Sequence, residues 1–288
     1  MKLYYWKSPH GNVGDDLNPW LWPKVFGDGF FDTTAPNTFF GIGSILDNRT
    51  NTGSKAHPNV IFGPGLRKAR NFQPAVEKLD IRFVRGPLSA AALAAAGLPG
   101  VRYISDPAIL TPRFSEKRSA TVPKKIGFIP YYNTPADLTN WIARETGMEI
   151  VPITTDVDDF VARLTTCDYV VTEAMHGAIL SDAFRIPWAA CRLLSGVSEG
   201  RTSLFKWQDW SNSLGFSCQH LSSLPDTLLW LPGKLRAHFR DFAARRSLKT
   251  VQAVLKRADW SLSDENRLRE AQDAILHEAE RLKADYQQ

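Results

Sequence analysis

The fold class is decided by one stretch of sequence, Thr172-Glu173-Ala174-Met175-His176-Gly177-Ala178-Ile179-Leu180-Ser181-Asp182-Ala183-Phe184. The apolar run that leads into it predicts a buried strand over residues 168–172, and residues 178–184 are predicted to form a helix. His176 and Gly177 therefore lie where the chain changes from strand to helix. In open α/β sheets, ligands bind at such switches, beyond the carboxyl ends of the strands.

The start of this helix suits an anion, since it offers backbone N–H groups and the positive end of a dipole. A histidine there can hold or donate a proton near neutral pH, so His176 is a candidate acid and Gly177 a candidate anion contact. The alternative is a core histidine with satisfied hydrogen bonds, and position alone does not separate the two interpretations.

The composition is that of a globular protein. The chain has 288 residues, of which 43% are hydrophobic and 23% charged, enough for one large domain or two ordinary ones. The net charge of +5 and the pI near 9.1 are compatible with an anionic ligand or an anionic membrane surface. They only weakly support nucleic-acid binding, because the positive charge concentrates in the C-terminal part and no recognition motif is present.

Cysteine usage and the absence of targeting signals favour a cytoplasmic protein. Cys167, Cys191 and Cys218 are odd in number and widely spaced, without metal-ligand spacing, which is typical of buried reduced thiols. The first residues hold too short an apolar run for a signal peptide. No stretch approaches the ~18 apolar residues of a membrane span.

Two runs of alternating strands and helices organise the chain. The first run has predicted strands over 2–6, 38–41, 59–62 and 80–84 and a helix over 87–96, which Gly97 ends. The second has predicted strands over 125–129, 149–153, 168–172 and 188–191, with helices over 135–146, 157–164 and 178–184. Such alternation predicts a parallel sheet in each half.

The polar segment 113–125 is a predicted linker between these halves. The sequence thus predicts an α/β fold with two Rossmann-like domains that face a cleft, over residues 1–118 and 119–232. A helical extension is predicted over 233–288. Ligands tend to bind in clefts of this kind.

The extension divides into two amphipathic segments. Residues 234–257 are strongly basic, with Phe239 and Phe242 on the predicted apolar side. Such a helix either docks on the second domain with its charges in water or contacts an anionic membrane leaflet. Residues 264–286 are predicted to form a helix with charges of alternating sign that buries Leu268, Ala271, Ile275 and Leu282.

A possible sugar-binding turn follows the first strand, with the sequence Asn12-Val13-Gly14-Asp15-Asp16. Its amide and carboxylates can hold a sugar hydroxyl or accept its proton, and Gly14 permits a tight turn. The alternative is a turn with a helix N-cap, which the same residue types satisfy.

Further candidate contacts follow later strands. The backbone of Gly41-Ile42-Gly43-Ser44 can approach a ligand, although the spacing is not that of a dinucleotide fingerprint. Arg67 lies beside the predicted cleft. Arg85 ends a strand, where its guanidinium can pair with phosphate or carboxylate, or simply form a surface ion pair. Lys206-Trp207-Gln208-Asp209-Trp210 is either a sugar platform or core packing with a polar edge.

Taken in order, these motifs resemble the polysaccharide pyruvyltransferase family, and most closely the bacterial exopolysaccharide ketal pyruvate transferases. The resemblance rests on Asn12-x-Gly14-Asp15, Gly41-x-Gly43-Ser44, Arg85-Gly86-Pro87, Ser105-Asp106-Pro107, the strand 126–130, Glu173-Ala174-Met175-His176-Gly177 and Pro187-Trp188. It implies two domains arranged as in glycosyltransferases of the B type (GT-B-like), with the acceptor on the side of residues 1–118 and the donor on the side of residues 119–232. It also implies phosphoenolpyruvate as donor, and no metal ion or cofactor.

The resemblance also implies roles for individual residues. His176 is the candidate general acid, and Asp15 or Asp16 accepts a hydroxyl proton. The chain departs from many members of the family at Ala174, where they have an arginine two residues before the histidine. Other groups must then bind the donor, and the candidates are Arg67, Arg85, Gly177, Arg192 and Lys206. The acceptor sugar is expected at Asn12, Gly14, Gly43 and Ser44.

The expected partners are phosphoenolpyruvate and a lipid-linked oligosaccharide acceptor, at or near the inner face of the cytoplasmic membrane. Two rival functions stay open at this point. One is a glycosyltransferase of the same architecture that uses a nucleotide sugar and needs a pocket for the base. The other is a non-catalytic carbohydrate-binding protein, suggested by Ala174, which would bind sugar without releasing phosphate.

Overall fold

The computed structural model describes residues 1–67, 72–115, 124–193, 201–222, 240–257 and 259–286. The chain forms two compact units. The first unit consists of Met1–Ser115, Leu204–Ser217 and Ser263–Gln288, and the second of Glu116–Ser203 and Cys218–Leu262. Each unit is built on its own parallel sheet.

The strands in chain order are β1 (Lys2–Tyr4), β2 (Thr38–Phe40), β3 (Asn59–Phe62), β4 (Leu79–Phe83), β5 (Ile126–Ile129), β6 (Glu149–Ile150), β7 (Tyr169–Thr172), β8 (Trp188–Arg192) and β9 (His220–Ser222). The helices are α1 (Val13–Phe26), α2 (Pro87–Ala95), α3 (Ala136–Thr146), α4 (Val157–Leu164), α5 (Met175–Ala183), α6 (Arg201–Ser213), α7 (Arg240–Arg257) and α8 (Glu265–Tyr286). Short 3₁₀ helices lie at Asn48–Thr52, Val76–Lys78 and Pro107–Arg113.

The sheet of the first unit has the strand order β1-β2-β3-β4, and each neighbouring pair is parallel. The carboxyl ends of its strands therefore lie at one edge. Against this sheet packs α1, whose Trp22 ring lies 5.1 Å from Phe39 and 5.5 Å from Phe62, measured between ring centroids. Along α1 in turn packs α8, with the predicted residues Leu268, Ala271, Ile275 and Leu282 buried.

The helix α1 forms although Pro19 and Pro23 lie inside it. Each proline removes a backbone hydrogen bond of the helix. The sequence predicted a helix N-cap only as an alternative at residues 12–16, and it predicted no helix over the residues that follow. Burial of one apolar face outweighs that loss. The residues of this face are Val13, Leu17, Leu21, Trp22, Val25 and Phe26.

The sheet of the second unit has the strand order β6-β5-β7-β8-β9, again with parallel neighbours throughout. Its core includes Phe128, Ile142, Val171, Cys191 and Val251, contributed by β5, α3, β7, β8 and α7. All three cysteines of the chain are buried and none forms a disulfide, as the sequence predicted. Burial raises the pKa of the Cys167 thiol to about 11.

The predicted fold class, α/β with two parallel sheets and C-terminal helices, is confirmed. The bounds of β3 and α4 are those predicted, whereas α5 begins earlier than predicted, so that His176 and Gly177 lie in its first turn. Neither α6 nor β9 was predicted. Among the described residues, no helix is both long and apolar enough to cross a membrane.

The units are not contiguous in sequence. Segments Leu204–Ser217 and Ser263–Gln288 pack with the first unit although they follow most of the second along the chain. The predicted domains were contiguous, with boundaries at residues 118 and 232, so neither segment was assigned to the first unit. The predicted linker, residues 113–125, lies mostly outside the described residues.

A buried asparagine fastens α1 to the loop that follows β2. Asn18 Nδ2 donates to the carbonyl oxygens of Asp15 and Ile42, both at 3.0 Å. Its Oδ1 accepts from the Ile42 N–H and from Trp22 Nε1–H, both at 2.9 Å. Asn18 has no exposed surface, so water does not reach these groups. The start of α1 is thereby held against the loop that contains Gly43.

Asn18→Ala is expected to lower the free energy of unfolding by about 2–4 kcal/mol, because it leaves several buried polar groups without partners. Urea denaturation measures the change. The control is Gln208→Ala, which removes an exposed amide from the same unit and is expected to change stability by less than about 0.5 kcal/mol. A loss below about 1 kcal/mol for Asn18→Ala would show that these hydrogen bonds do not fasten α1.

Candidate active site

The turn between β1 and α1 brings together three of the predicted side chains. Asn12 Nδ2 donates to Asp15 Oδ2 at 2.6 Å, and the Asn12 backbone N–H donates to Asp16 Oδ2 at 3.0 Å. Asp16 therefore accepts a hydrogen bond from the backbone N–H of the residue that precedes α1, whereas the Asn12 side chain makes no capping hydrogen bond, so the capping alternative holds only in part. Gly14 lies buried in the first turn of α1. The structure thus separates the two carboxylates: Asp16 has a capping role, whereas Asp15 is oriented by an amide.

Burial raises the pKa of Asp15 to about 6, and the neighbouring Asp16 carboxylate adds to the rise. The hydrogen bond from Asn12 and the positive charges of Lys206 and Arg67 act in the opposite direction. A carboxyl group with such a pKa can accept or hold a proton near neutral pH, as a general base must. Two predicted donor-binding cations therefore lie within electrostatic reach of a predicted catalytic carboxylate.

The loop after β2 passes close to this carboxylate. Gly43 has a φ of +123°, a backbone conformation that favours glycine. A Cβ atom at this position would lie 3.8 Å from Asp15 Oδ1. The carbonyl of Gly43 accepts from the Gly65 N–H at 2.9 Å, which joins the loops after β2 and β3. The loop that contains Gly43 therefore lies close to the Asp15 carboxylate.

Arg85 and Asp209 form an ion pair with no exposed surface. Arg85 Nε donates to Asp209 Oδ2 and Arg85 Nη1 to Ser44 Oγ, both at 3.1 Å. The hydroxyl and the backbone N–H of Ser89 donate to Asp209 at 2.6 and 2.9 Å. Burial also raises the pKa of the nearby Asp106 to about 6. Arg85 faces protein rather than solvent, which differs from the donor contact predicted for it.

The partner of Arg85 lies on α6, which also carries Lys206. Lys206 and Asp209 are three residues apart, so they share a face of the helix. Fixing Asp209 on Arg85 therefore fixes the position of Lys206 near Asp15. Trp207 and Trp210 on the same helix are buried, which favours core packing over a sugar platform.

In the second unit, a buried carboxylate ties together the loops at the carboxyl ends of the strands. Glu173 Oε2 accepts from Thr134 Oγ1 at 2.7 Å and from the Tyr131 N–H at 3.2 Å. Glu173 Oε1 accepts from the Leu193 N–H at 3.0 Å. These partners follow β5 and β8, the two neighbours of β7. Glu173 therefore holds the loops on both sides of the strand that leads to His176.

The first turn of α5 lies tightly against the sheet. A Cβ atom at Gly177 would be 2.5 Å from Thr172 Oγ1 and 3.0 Å from two carbons of Ile129, so glycine alone permits this approach. His176 precedes it and is half-buried, with its Nε2 atom shielded from solvent. The predicted strand-to-helix switch is thus present, with the histidine at its centre.

Arg192 ends β8 at the same edge of the sheet. Thr172 pairs with Ala190, so Arg192 lies two residues beyond the last pairing of β8 with β7. The predicted donor-binding residues are therefore divided between the units. Arg67, Arg85 and Lys206 belong to the first unit, and Gly177 and Arg192 belong to the second, with His176.

Three features were not predicted from the sequence: the role of Asn18, the pairing of Asp209 and the role of Glu173. Asn18 carried a usable signal, since it is the one polar residue between Leu17 and Trp22 on α1. Asp209 carried none, because Lys206, Gln208 and Asn212 on the same helix are polar as well. The partners of Asn18 and Asp209 lie 24 and 124 residues away, which spacing cannot reveal. Within the described ranges, no three His, Cys, Asp or Glu side chains gather as a metal ion would require.

These features define an α/β protein with candidate proton-transfer groups at the carboxyl edges of two parallel sheets. A sequence profile of the family described as polysaccharide pyruvyl transferase matches residues 24–193, more than half of the chain. The chain belongs to this family, which confirms the resemblance stated from its motifs.

The chain is also similar to individual proteins. The succinoglycan biosynthesis protein ExoV of Rhizobium meliloti (strain 1021) is 36% identical over 219 residues. That match covers 75% of this chain and 65% of ExoV, which is less than two thirds of its length. Two structures of the wall teichoic acid polymerase TagF align with 86% of this chain at 11% identity and a TM-score of 0.35, covering 73% and 74% of TagF. A likeness as distant as the latter identifies no ligand.

Asp15→Asn is expected to stabilise the protein at pH 8 by on the order of 1–3 kcal/mol and to have little effect below pH 4. The folded-state pKa of about 6 lies above the ordinary value of 3.8. The carboxyl group therefore favours the folded state at low pH, and this contribution is lost as pH rises through 6. Urea denaturation of both proteins across this pH range measures it. Asp106 titrates in the same range but is common to both proteins, so an equal difference at every pH would contradict the assignment to Asp15.

Proposed function

We propose that the protein transfers a pyruvyl group from phosphoenolpyruvate to a sugar of an exopolysaccharide precursor and forms a cyclic pyruvate ketal. The family membership supports transfer of a pyruvyl group to a polysaccharide. The observation that carries the proposal is the Asp15 carboxyl group, which has a pKa raised by burial to about 6 and lies in electrostatic reach of Lys206 and Arg67.

Ketal formation requires two carbon–oxygen bonds to form and one to break. A proton adds to the methylene carbon of phosphoenolpyruvate while a sugar hydroxyl oxygen bonds to the carbon that bears the phosphate. The proton of that hydroxyl passes to a base. Inorganic phosphate then leaves, and a second hydroxyl takes its place and loses its proton. The reaction needs proton transfer and anion binding, and no oxidant or reductant.

The described residues supply groups for each requirement. Asp15 is the proposed base, because its carboxyl group exchanges a proton near neutral pH. His176 is the proposed acid toward the methylene carbon, since an imidazolium donates a proton in the same range. Asn12, Gly14, Gly43 and Ser44 stay as proposed contacts of the acceptor.

The donor carries a phosphate and a carboxylate, so it requires cations and N–H groups. In the first unit, Lys206 and Arg67 provide positive charge beside Asp15. In the second unit, the N-terminal turn of α5 and Arg192 lie at one edge of the sheet. Arg192 is the proposed replacement for the arginine that many family members have at the position of Ala174.

The proposed acceptor is an oligosaccharide on a lipid carrier at the inner face of the cytoplasmic membrane. The name of the relative ExoV places that protein in succinoglycan biosynthesis, which supports a bacterial exopolysaccharide as the end product here. Assays of phosphate release from phosphoenolpyruvate with a panel of lipid-linked oligosaccharides test the donor and the acceptor together.

His176→Ala is expected to lower turnover by about two to four orders of magnitude, the usual scale for a general acid, without loss of folding. Phosphate release measures turnover, and circular dichroism confirms the fold. The control is His277→Ala, which removes an exposed histidine from α8 and is expected to leave turnover unchanged. Turnover near the wild-type value in a folded His176→Ala protein would remove His176 from the mechanism.

The rival functions give different results in the same assays. A glycosyltransferase would be stabilised against heat by a nucleotide sugar rather than by phosphoenolpyruvate. A non-catalytic carbohydrate-binding protein would bind the acceptor without releasing phosphate. Either result would overturn the proposed reaction.

Lys206→Met is expected to move the acidic limb of the profile of kcat/KM against pH to higher pH. The positive charge of Lys206 lowers the pKa of Asp15, so its removal raises that pKa above about 6. Lys206→Arg keeps the charge and is expected to keep the limb in place. Lys24→Met, at an exposed lysine in the last turn of α1, is the control for lost charge. A limb at the same pH in all four proteins would show that Asp15 is not the titrating base.

A further inference from the structure

One face of α7 packs into the core of the second unit. Ser247, Val251 and Val254 are buried, and the helix packs against α3 and the neighbouring strands β8 and β9. The docking alternative predicted for the basic segment is therefore confirmed for this face. The exposed cations of α7 take no part in that packing.

Beside this packed face, α7 and α3 border an open groove of about 760 Å³, and two of its lining residues, Trp141 and Leu248, also pack against the core. Its residues are Trp141, Phe242, Arg245, Arg246, Leu248, Lys249, Thr250, Gln252 and Ala253, which include three cations and no carboxylate. We call this set the α3–α7 surface. Arg245, Arg246 and Lys249 are all exposed, within little more than one turn of the helix.

Phe242 lies at this surface rather than in the core. Its side chain is 52% exposed, which corrects the prediction that Phe242 belongs to the packed apolar side of the helix. The Arg246 guanidinium lies 5.7 Å from the centre of its ring. Phe239, predicted on the same side, lies outside the described residues. An exposed aromatic ring among cations on an amphipathic helix is typical of contact with a membrane interface.

We propose that the α3–α7 surface binds the anionic headgroups of a lipid bilayer. Arg245, Arg246 and Lys249 neutralise lipid phosphates, and Phe242 enters the boundary between headgroups and acyl chains. The apolar residues of the groove, Trp141 among them, receive the glycerol and upper chain region. The biological sense of this contact rests on the proposed function, because a lipid-linked acceptor lies at such a surface, but the binding itself is measurable without turnover.

The charge of the three cations sets the expected strength of binding to anionic vesicles. Each basic residue near an anionic leaflet raises the partition coefficient roughly fivefold, so three raise it on the order of 100-fold at low salt. Screening shortens the range of these interactions as salt is added, and binding is therefore expected to be reversible by salt.

The test is flotation of the full chain with vesicles of phosphatidylglycerol and phosphatidylcholine, and with vesicles of phosphatidylcholine alone. Binding to the anionic vesicles, release by salt and little binding to the neutral ones are expected. Arg245→Gln, Arg246→Gln and Lys249→Gln together should lower binding on the order of 100-fold. The matched control is Lys256→Gln with Arg257→Gln, two exposed cations of the same helix that do not border the groove.

A second pair of variants tests the aromatic contribution. Phe242→Ala is expected to weaken binding to anionic vesicles severalfold at low salt, whereas Tyr132→Ala, at another exposed aromatic residue of the same unit, is not. Equal binding to neutral and anionic vesicles, equal loss in both sets of glutamine variants, or no vesicle binding would overturn the proposal. So would binding to a nucleic-acid duplex, but not to vesicles, that the triple variant abolishes.

Turnover on a soluble acceptor separates this proposal from the proposed function. The triple variant is expected to keep the wild-type rate of phosphate release on such an acceptor. Vesicle binding without phosphate release under any condition would overturn the reaction and leave the surface standing. Phosphate release without vesicle binding would overturn the proposed role of the α3–α7 surface and leave the proposed reaction standing.

Discussion

A buried ion pair between Arg85 and Asp209 is the constraint on which the first unit depends. Neither side chain reaches solvent, and Asp209 also accepts both donors of Ser89. Buried pairs of this kind often add little net stability, but removing one partner leaves a charge that the interior cannot solvate. The pair therefore acts mainly on position: α6, which arrives late in the chain, can join the first unit only in the register that sets Asp209 on Arg85.

That register has an electrostatic consequence for Asp15. Lys206 lies one helical turn from Asp209, and its charge lowers a pKa that burial alone would raise further. Asn18 makes a second attachment near Asp15, because its side chain joins the start of α1 to the loop that contains Gly43. Burial raises the pKa of Asp15 to about 6, and these two attachments fix the positions of the groups around it.

Local pattern predicted most of the fold because strands and helices in α/β proteins have distinct periodicities. The helix α4 and the strand β3 followed from that pattern alone. The helix α1 did not follow from it, because the helix contains two prolines. It is stabilised by packing its apolar face against the sheet, which local pattern does not reveal. The candidate site divides in the same way. His176, Gly177 and Asp15 were found from their places after strands, whereas the return of α6 and the partner of Arg85 depend on contacts between distant segments.

The structure also distinguishes carboxylates that sequence treats alike. Asp16 caps a helix, Asp209 pairs with a buried arginine, and Glu173 accepts hydrogen bonds from the loops after β5 and β8. Each of these three carboxylates accepts hydrogen bonds from backbone N–H groups and so holds a segment of the chain in place. Asp15 differs, because its environment brings the charged and neutral forms close in free energy near neutral pH. A carboxyl group with a pKa of about 6 can accept and release a proton near neutral pH, which a base must do in every turnover.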